Sequence, residues 1–413
     1  MIPRGSMFYL QNERISAAAV DTLFNDLKRT YVDGLTINKN DGDELWEWLA
    51  KERGRHRGKG KTSDHYAFSK KMATIYAAYY LPVNVLKVPL ILEELYILGH
   101  LGALGFESSE STIPWADIGC GPGTVGWGLK WWVSARAQID HKAMPFRYYG
   151  FDQSKQFVSL GEPVGASLLK GSVLDTIKTQ RARVVSFSNS VDEVFSDAVS
   201  KAVFFRELLD YFERLPEALN QPVPLLCLVE PASKVASRDL LELRKTLIEQ
   251  GWRILTPCFS NRQCGALESK VDDWCYAEVE FDYPSWFNAM AENMDLTKSA
   301  INFSYLVCVP EKSIRQRELQ KHFEASACWS RMVSQRMVQK GFMQSYWCTD
   351  CGRMKARVLD SKKDAVSQSA RSSFYRGALV QELVTNEKSD VVALSAVSDA
   401  AMSTPLRTSI FCG

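Results

Sequence analysis

Seven consecutive residues, Asp117-Ile118-Gly119-Cys120-Gly121-Pro122-Gly123, carry the clearest chemistry in this chain. Glycine at alternate positions lets the backbone turn sharply and lets a ligand approach with no Cβ in the way. The acid comes first, so the spacing is DxGxGxG and not the GxGxxG of a dinucleotide fingerprint. A carboxylate there suits a cationic ligand end, reached directly or through water. Further on, Tyr149-Gly150-Phe151-Asp152 closes another apolar run. A carboxylate at such a strand end can accept both hydroxyls of a ribose.

Two acids and three glycines in this order describe a site for S-adenosylmethionine, in the pattern of class I methyltransferases. The expected contacts are Asp117, Gly119, Cys120, Gly121, Gly123, Thr124, Asp152 and Gln153, with Thr124 also expected to cap the next helix. Ser172 and Val173, within Gly171 to Asp175, are expected beside the adenine. Ser188-Asn189-Ser190 is expected beside the transferred methyl group. Both stretches read equally well as plain turns. Methyl transfer from a sulfonium is an in-line displacement, so positioning supplies much of its catalysis. A base is needed only where the acceptor must lose a proton. The histidines, His56, His65, His100, His141 and His322, all lie outside the strand-end loops, so no histidine base is expected. An Asn-Pro-Pro-Tyr signature and a Pro-Cys nucleophile after the fourth strand are both absent from the sequence. The catalytic candidates are therefore Ser188, Asn189, Ser190 and Glu230.

A second constellation is built of thiols. Cys258, Cys264 and Cys275 share one irregular stretch, and Cys348-Thr349-Asp350-Cys351 follows later. Four thiolates meeting at one point would suit zinc or an iron–sulfur cluster. A zinc ribbon has two tight CxxC pairs, and only Cys348 and Cys351 make one. The wider spacing leans toward a cluster, with buried structural thiols as the plain alternative. Cys120, Cys227, Cys308, Cys328 and Cys412 read as core or surface thiols.

The elements that must position these groups follow from periodicity. Residues 7–110 read as helical, with apolar positions at helical spacing over Ile15 to Leu27 and again over Tyr76 to Leu98, broken at Pro82. Between them Lys51 to Lys61 is glycine-rich and basic, either a solvated loop or an arm for phosphates. From Thr112 short apolar runs alternate with helices. Strands are predicted at 113–118, 147–152, 166–170, 182–188, 224–230 and 252–256, with a seventh at Phe303 to Val309. Helices are predicted at 124–137, 199–213 and 236–250. This rhythm argues for an α/β fold: a Rossmann-like parallel sheet covered on both faces, spanning 111–312. An irregular cysteine-rich insertion occupies 257–300. A small β-rich unit is expected at 313–376, and 377–413 reads as a loose tail with a helix near 377–386.

Composition is that of an ordinary globular protein, 46% hydrophobic and 24% charged over 413 residues. A net charge of +2 leaves nucleic-acid contact to local basic patches. The most apolar stretch, Leu81 to Leu101, is interrupted by Lys87, Glu93 and Glu94, so no membrane partner is expected. Residues 1–6 read as a cloning remnant and 7–30 as neither signal nor transit peptide. That predicts a reducing, intracellular compartment, where cysteines serve as ligands or buried thiols.

From about Tyr76 to about Arg376 the chain resembles the ribosomal small-subunit methyltransferase-like family of bacteria and mitochondria. Tyr76-Ala77-Ala78-Tyr79-Tyr80-Leu81-Pro82 is similar to its helix before the sheet. Asp117 to Thr124 with Trp127, and Val229-Glu230-Pro231 with Arg238, match its cofactor loop and its later strand end. Pro257-Cys258, Cys264, Asp273-Trp274-Cys275, Phe303 to Val307 and Cys348 to Gly352 keep the order and spacing of its cysteine region. The resemblance implies a 4Fe–4S cluster on Cys258, Cys264, Cys275 and Cys348, with Cys351 as a spare. It also implies work on the small ribosomal subunit or its rRNA, in the cytoplasm or, in a eukaryote, the mitochondrial matrix. Arg53 to Lys61 and Arg353, Lys355 and Arg357 would then hold phosphates. This chain departs from the pattern at Phe259-Ser260, Gly265 and Tyr276-Ala277, and acidic Glu278, Glu280 and Asp282 replace a basic segment. Two other readings fit the residues: methylation of a small molecule or peptide, and a non-catalytic assembly factor.

Overall fold

The computed structural model describes residues 17–54 and 69–396, apart from 110, 141–143, 196, 216–220, 269–272, 318, 327–328, 350–351, 364–366, 369–375, 377–378, 387 and 390. Residues 1–6, most of the basic stretch 51–61, Cys328, Cys351 and Cys412 lie outside that set.

The larger sheet has eight strands: β1 Ile113–Ile118, β2 Phe146–Asp152, β3 Ala166–Leu168, β4 Val184–Ser188, β5 Leu225–Pro231, β6 Trp252–Thr256, β7 Ala277–Glu280 and β8 Ala300–Pro310. Their spatial order is β3-β2-β1-β4-β5-β8-β6, with β7 also on β8. The pairs among β3, β2, β1, β4 and β5 are parallel. β8 runs antiparallel to β5, β6 and β7. The sheet is thus not parallel throughout as the rhythm predicted. The insertion reverses the chain after β6, and β8 returns between β5 and β6. This order, reversed at β1/β4 and closed by one antiparallel strand, is the Rossmann-like class I methyltransferase arrangement. Its strand-order reversal opens a ligand crevice at the carboxyl ends of β1 and β4.

Both faces of the sheet are covered. The two-residue alternation of a strand is visible in β5, where Leu225, Cys227 and Val229 join one core and Leu226 and Leu228 the other. The first core packs the N-terminal helices and helix Thr124–Asp140. The second packs helices Ala198–Arg214 and Lys234–Gln250. Pro82 does not break its helix. It sits in the last turns of Lys70–Asn84, and the break falls just after, before Lys87–Ile97. Together these helices are long and apolar enough to cross a membrane by length and composition, but 83% of the apolar window is buried inside the structure.

The insertion is more regular than its sequence implied, holding β7 and helix Ser285–Asn293. A second, antiparallel sheet follows: β9 Ser330–Met332, β10 Met337–Gln339, β11 Phe342–Thr349, β12 Gly352–Leu359, β13 Leu379–Thr385 and β14 Val391–Ala396. The helix expected near 377–386 is β13, and the stretch read as a loose tail from 377 enters this sheet. Val380 of β13 and Val391 of β14 are buried in the same small core as Trp347. Burial against β9, a long-range partner, decides the matter over local propensity.

Candidate functional site

Asp117 lies one residue before the end of β1, beside Gly150 of β2 and Ser186 of β4. It is fully buried. Its Oδ2 accepts from the Tyr148 hydroxyl at 2.8 Å and its Oδ1 from Ser186 Oγ at 2.6 Å. Trp115 Nε1 donates in turn to Ser186 at 2.8 Å. Burial lifts the Asp117 carboxyl to about 7, against the pull of these two hydroxyls. Gly150 makes the clamp possible, because a Cβ there would stand 2.7 Å from the Tyr148 hydroxyl and 2.9 Å from Cys120 Sγ. Asp117 therefore supports the loop from beneath, with Tyr148 and Ser186 as partners the sequence did not single out.

All three loop glycines take positive φ, at +69°, +54° and +80°, yet their surroundings differ. A Cβ on Gly119 would meet Ser190 Cβ at 2.4 Å, and one on Gly123 would meet Val164 Cγ2 at 2.4 Å. A Cβ on Gly121 would meet nothing within 4 Å. Gly119 and Gly123 are packing glycines, and Gly121 faces open space. Gly123 also holds the cap position of helix Thr124–Asp140, its carbonyl accepting from Trp127 N at 3.0 Å. Thr124 is the first helical residue instead of the cap. Cys120 is buried, its thiol turned to the Gly121 carbonyl at 3.5 Å.

Asp152 ends β2 and binds the loop across the crevice. Its Oδ2 accepts from Gly121 N at 2.9 Å and its Oδ1 from Ser154 N at 2.8 Å. Burial raises its carboxyl, and the backbone N–H groups of Ser154, Gly121 and Gln153 hold the rise back. Each carboxylate oxygen has a second lone pair for a further donor. Gln153 is exposed next to it. Ser172 caps helix Val173–Thr179 through Asp175 N at 3.1 Å and donates to Asp175 Oδ2 at 2.7 Å, while Val173 packs at the edge of the second core.

Beyond β4, Ser188 ends the strand and Asn189 takes φ +58°. Asn189 N donates to Val229 O at 2.7 Å, and its Oδ1 is buried with no hydrogen-bond partner among the described residues. Ser190 Oγ donates to Ile118 O at 2.6 Å. Glu230 accepts from Val191 N at 3.1 Å, and burial raises its carboxyl to about 8. Ser190 and Glu230 thus hold the turn, and Asn189 is the candidate with an unused acceptor. Lys87 was missed by sequence reasoning. It is buried near Phe303, and burial lowers its amine to about 7 while the charge of Glu230 pulls the other way.

The four candidate cysteine ligands lie apart from this loop. Cys258 and Cys264 share one loop while Cys275 and Cys348 come from elsewhere in the chain, and the thiols lie in one another's field. Burial raises the Cys348 thiol, and the charges of Cys275, Cys258 and Cys264 add to it. Cys264 is pushed up to about 11 by burial, then by Cys258 and Cys275. Among the described residues no group of three or more His, Cys, Asp or Glu side chains is placed to hold a metal ion. Arginines border the group. Arg244 donates to Ser260 O at 2.6 Å and Arg262 O at 3.0 Å, fixing the loop between Cys258 and Cys264. Arg238 donates to Asp273 O at 2.6 Å. Arg331 of β9 is fully buried, paired with both oxygens of Glu94 at 3.0 and 2.7 Å, and donates to Pro257 O at 3.2 Å. Tyr305 also donates to Glu94, at 3.0 Å.

Comparison with known proteins now adds to this geometry. A family described as mitochondrial small ribosomal subunit Rsm22 matches residues 115–379. The chain belongs to the Rsm22 family. That match runs from β1 of the large sheet to the first residue of β13, so the Rsm22 region takes in both the glycine loop and the four cysteines. No curated protein matches the chain. Among solved structures, a Listeria monocytogenes protein assigned to the class I S-adenosylmethionine-dependent methyltransferases is similar at 15% identity and a TM-score of 0.31, over 71% of this chain and 88% of that one. A SAM-dependent methyltransferase from Archaeoglobus fulgidus follows at 13% identity and 0.27, over 54% and 93%. The plantazolicin methyltransferase BamL, solved with SAH, is similar at 10% identity and 0.28, over 70% and 99%. At such scores the fold of this Rsm22 member rests on its strand order.

Proposed function

We propose that this Rsm22-family chain binds S-adenosylmethionine at the β1 loop and transfers its methyl group to the small ribosomal subunit or its rRNA. One observation carries the reading: Asp152 grips Gly121 N, the loop residue that faces open space. The second acid and the one unobstructed glycine therefore border the same opening at the carboxyl end of the sheet. When bound, S-adenosylmethionine supplies an electrophilic methyl group. Asp117 and its two hydroxyl partners keep the loop's shape, Asp152 takes the ribose, and Ser172 and Val173 stand at the adenine side. Ser188 and Asn189 border the acceptor side, where positioning does the work.

The four cysteines are proposed to carry a 4Fe–4S cluster. A cluster takes each thiolate on a separate iron, and arginines around the quartet offset its negative charge. Its role would be structural, joining the insertion to the small sheet. The chain would act in the mitochondrial matrix of a eukaryote or the cytoplasm of a bacterium. The proposed units are 7–110, 111–312 and a small β unit from 313 that continues through β14.

A second reading, a cofactor-stabilised assembly factor without turnover, draws on Ser190 and Glu230 being committed to the turn. Labelled methyl donor added to an extract from a deletion strain separates the readings. The proposal expects label in small-subunit RNA or protein. Label in small molecules alone, or in nothing at all, contradicts it.

A further inference from the structure

The hairpin of β11 and β12 presents two unlike faces. Met343, Ser345 and Trp347 of β11 and Ala356 and Val358 of β12 are buried. The alternate positions are half-exposed: Phe342, Gln344 and Tyr346 on β11, and Arg353, Lys355 and Arg357 on β12. Register sets them side by side, Gln344 with Arg357 and Tyr346 with Lys355. The guanidinium of Arg357 lies over the Phe342 ring at 5.3 Å and that of Arg353 over the Tyr346 ring at 5.1 Å. Arg353 is anchored at its far side by Asp273. Lys355 has no ion-pair partner among the described residues.

A half-buried sheet face would ordinarily carry short polar side chains. This one sets Phe342, Gln344, Tyr346 and Cys348 of one strand beside Arg357, Lys355 and Arg353 of the other, two aromatic rings facing three cations. Bases of unpaired strands stack on aromatic rings and on guanidinium planes, while Lys and Arg follow the phosphates. A duplex hides its bases, so it could use only the cations. From this face we infer that the hairpin is a docking platform for unpaired RNA, with Phe342 and Tyr346 as stacking rings and Lys355 and Arg357 as phosphate contacts. The inference rests on the small-subunit reading above and narrows it to a strand type and a surface.

The test uses the full chain and a labelled single-stranded 12-mer RNA, with the same sequence as a duplex for comparison. The wild-type chain should prefer the single strand. Tyr346→Ala should weaken single-strand binding about tenfold and leave duplex binding unchanged. Tyr346→Trp should restore it, which a folding defect would not allow. Lys355→Gln should reduce the salt slope for the single strand by about 0.7, with the aromatic variants leaving that slope alone. Equal losses on both RNAs, or no loss in either variant, would overturn the platform. Cosedimentation with small subunits keeps the two proposals apart. Cosedimentation without preference for the oligonucleotide sinks the platform alone, and binding to the oligonucleotide without cosedimentation sinks the small-subunit reading alone.

Discussion

The glycine loop and the cysteine quartet are held in place by opposite means. The loop is local. Three glycines within five residues shape it, and the ends of β1, β2 and β4 lock it through Asp117, Asp152 and Ser190. The quartet is assembled from segments far apart in the chain. Its frame is the buried Arg331–Glu94 pair, which joins a helix before the large sheet to a strand of the small one. Detachment of the small sheet is therefore expected to spare the loop and to disperse the quartet.

The largest effect should come from Arg331→Met, which leaves Glu94 buried without its cation. Removing one partner of a buried pair costs about 3–5 kcal/mol. Chemical denaturation should show the small sheet unfolding at lower denaturant than the large one, with S-adenosylmethionine affinity retained. Loss of both sites together would erase the contrast. Next, Asp152→Ala removes an acceptor from Gly121 N and from the ribose. Hydrogen bonds to charged groups are worth about 1.5–3 kcal/mol, so calorimetry should show roughly tenfold to hundredfold weaker binding of the nucleoside. Iron content per chain should stay unchanged.

A more gradual effect, spread over several pH units, concerns pH. Burial raises the Asp117 carboxyl from 3.8 to about 7, so the folded state holds its proton more tightly than the unfolded state. Its contribution to stability is complete below 3.8 and is lost as the pH climbs to about 7, by at most about 1.4 kcal/mol per pH unit. Asp117→Asn should flatten that fall in melting temperature between about pH 4 and 7. An unchanged slope would mean that the carboxyl is not held as described. Smallest is Gly121→Ala. An L-residue at positive φ costs about 1–2 kcal/mol, and its methyl group would project into open space. Affinity for the nucleoside should fall by more than stability does, whereas Gly119→Ala, blocked by Ser190, should show the reverse.

Much of this was legible in the sequence because the loop's chemistry is contiguous. The apolar runs ending at Asp117, Asp152 and Glu230 marked β1, β2 and β5, whose buried faces dictate composition over a few residues. The four thiols were legible as residue types. Their frame was not, since nothing near Arg331 in sequence announces a partner at Glu94. Lys87 read as an interruption of an apolar stretch, and only the fold shows it buried near Phe303 within the field of Glu230. β13 was misread because Leu379-Val380 and Leu383-Val384 repeat at a spacing that suits a helix as well as a strand. Its pairing with β9 is a tertiary choice.

The central claim is that a sulfonium nucleoside rests on Gly121 with its sugar at Asp152. Isothermal calorimetry of the purified chain with S-adenosylmethionine and with its demethylated product tests it directly. One site per chain, saturable for both ligands and lost in Asp152→Ala, is the predicted result. No measurable heat of binding to the wild-type chain for either ligand would contradict it.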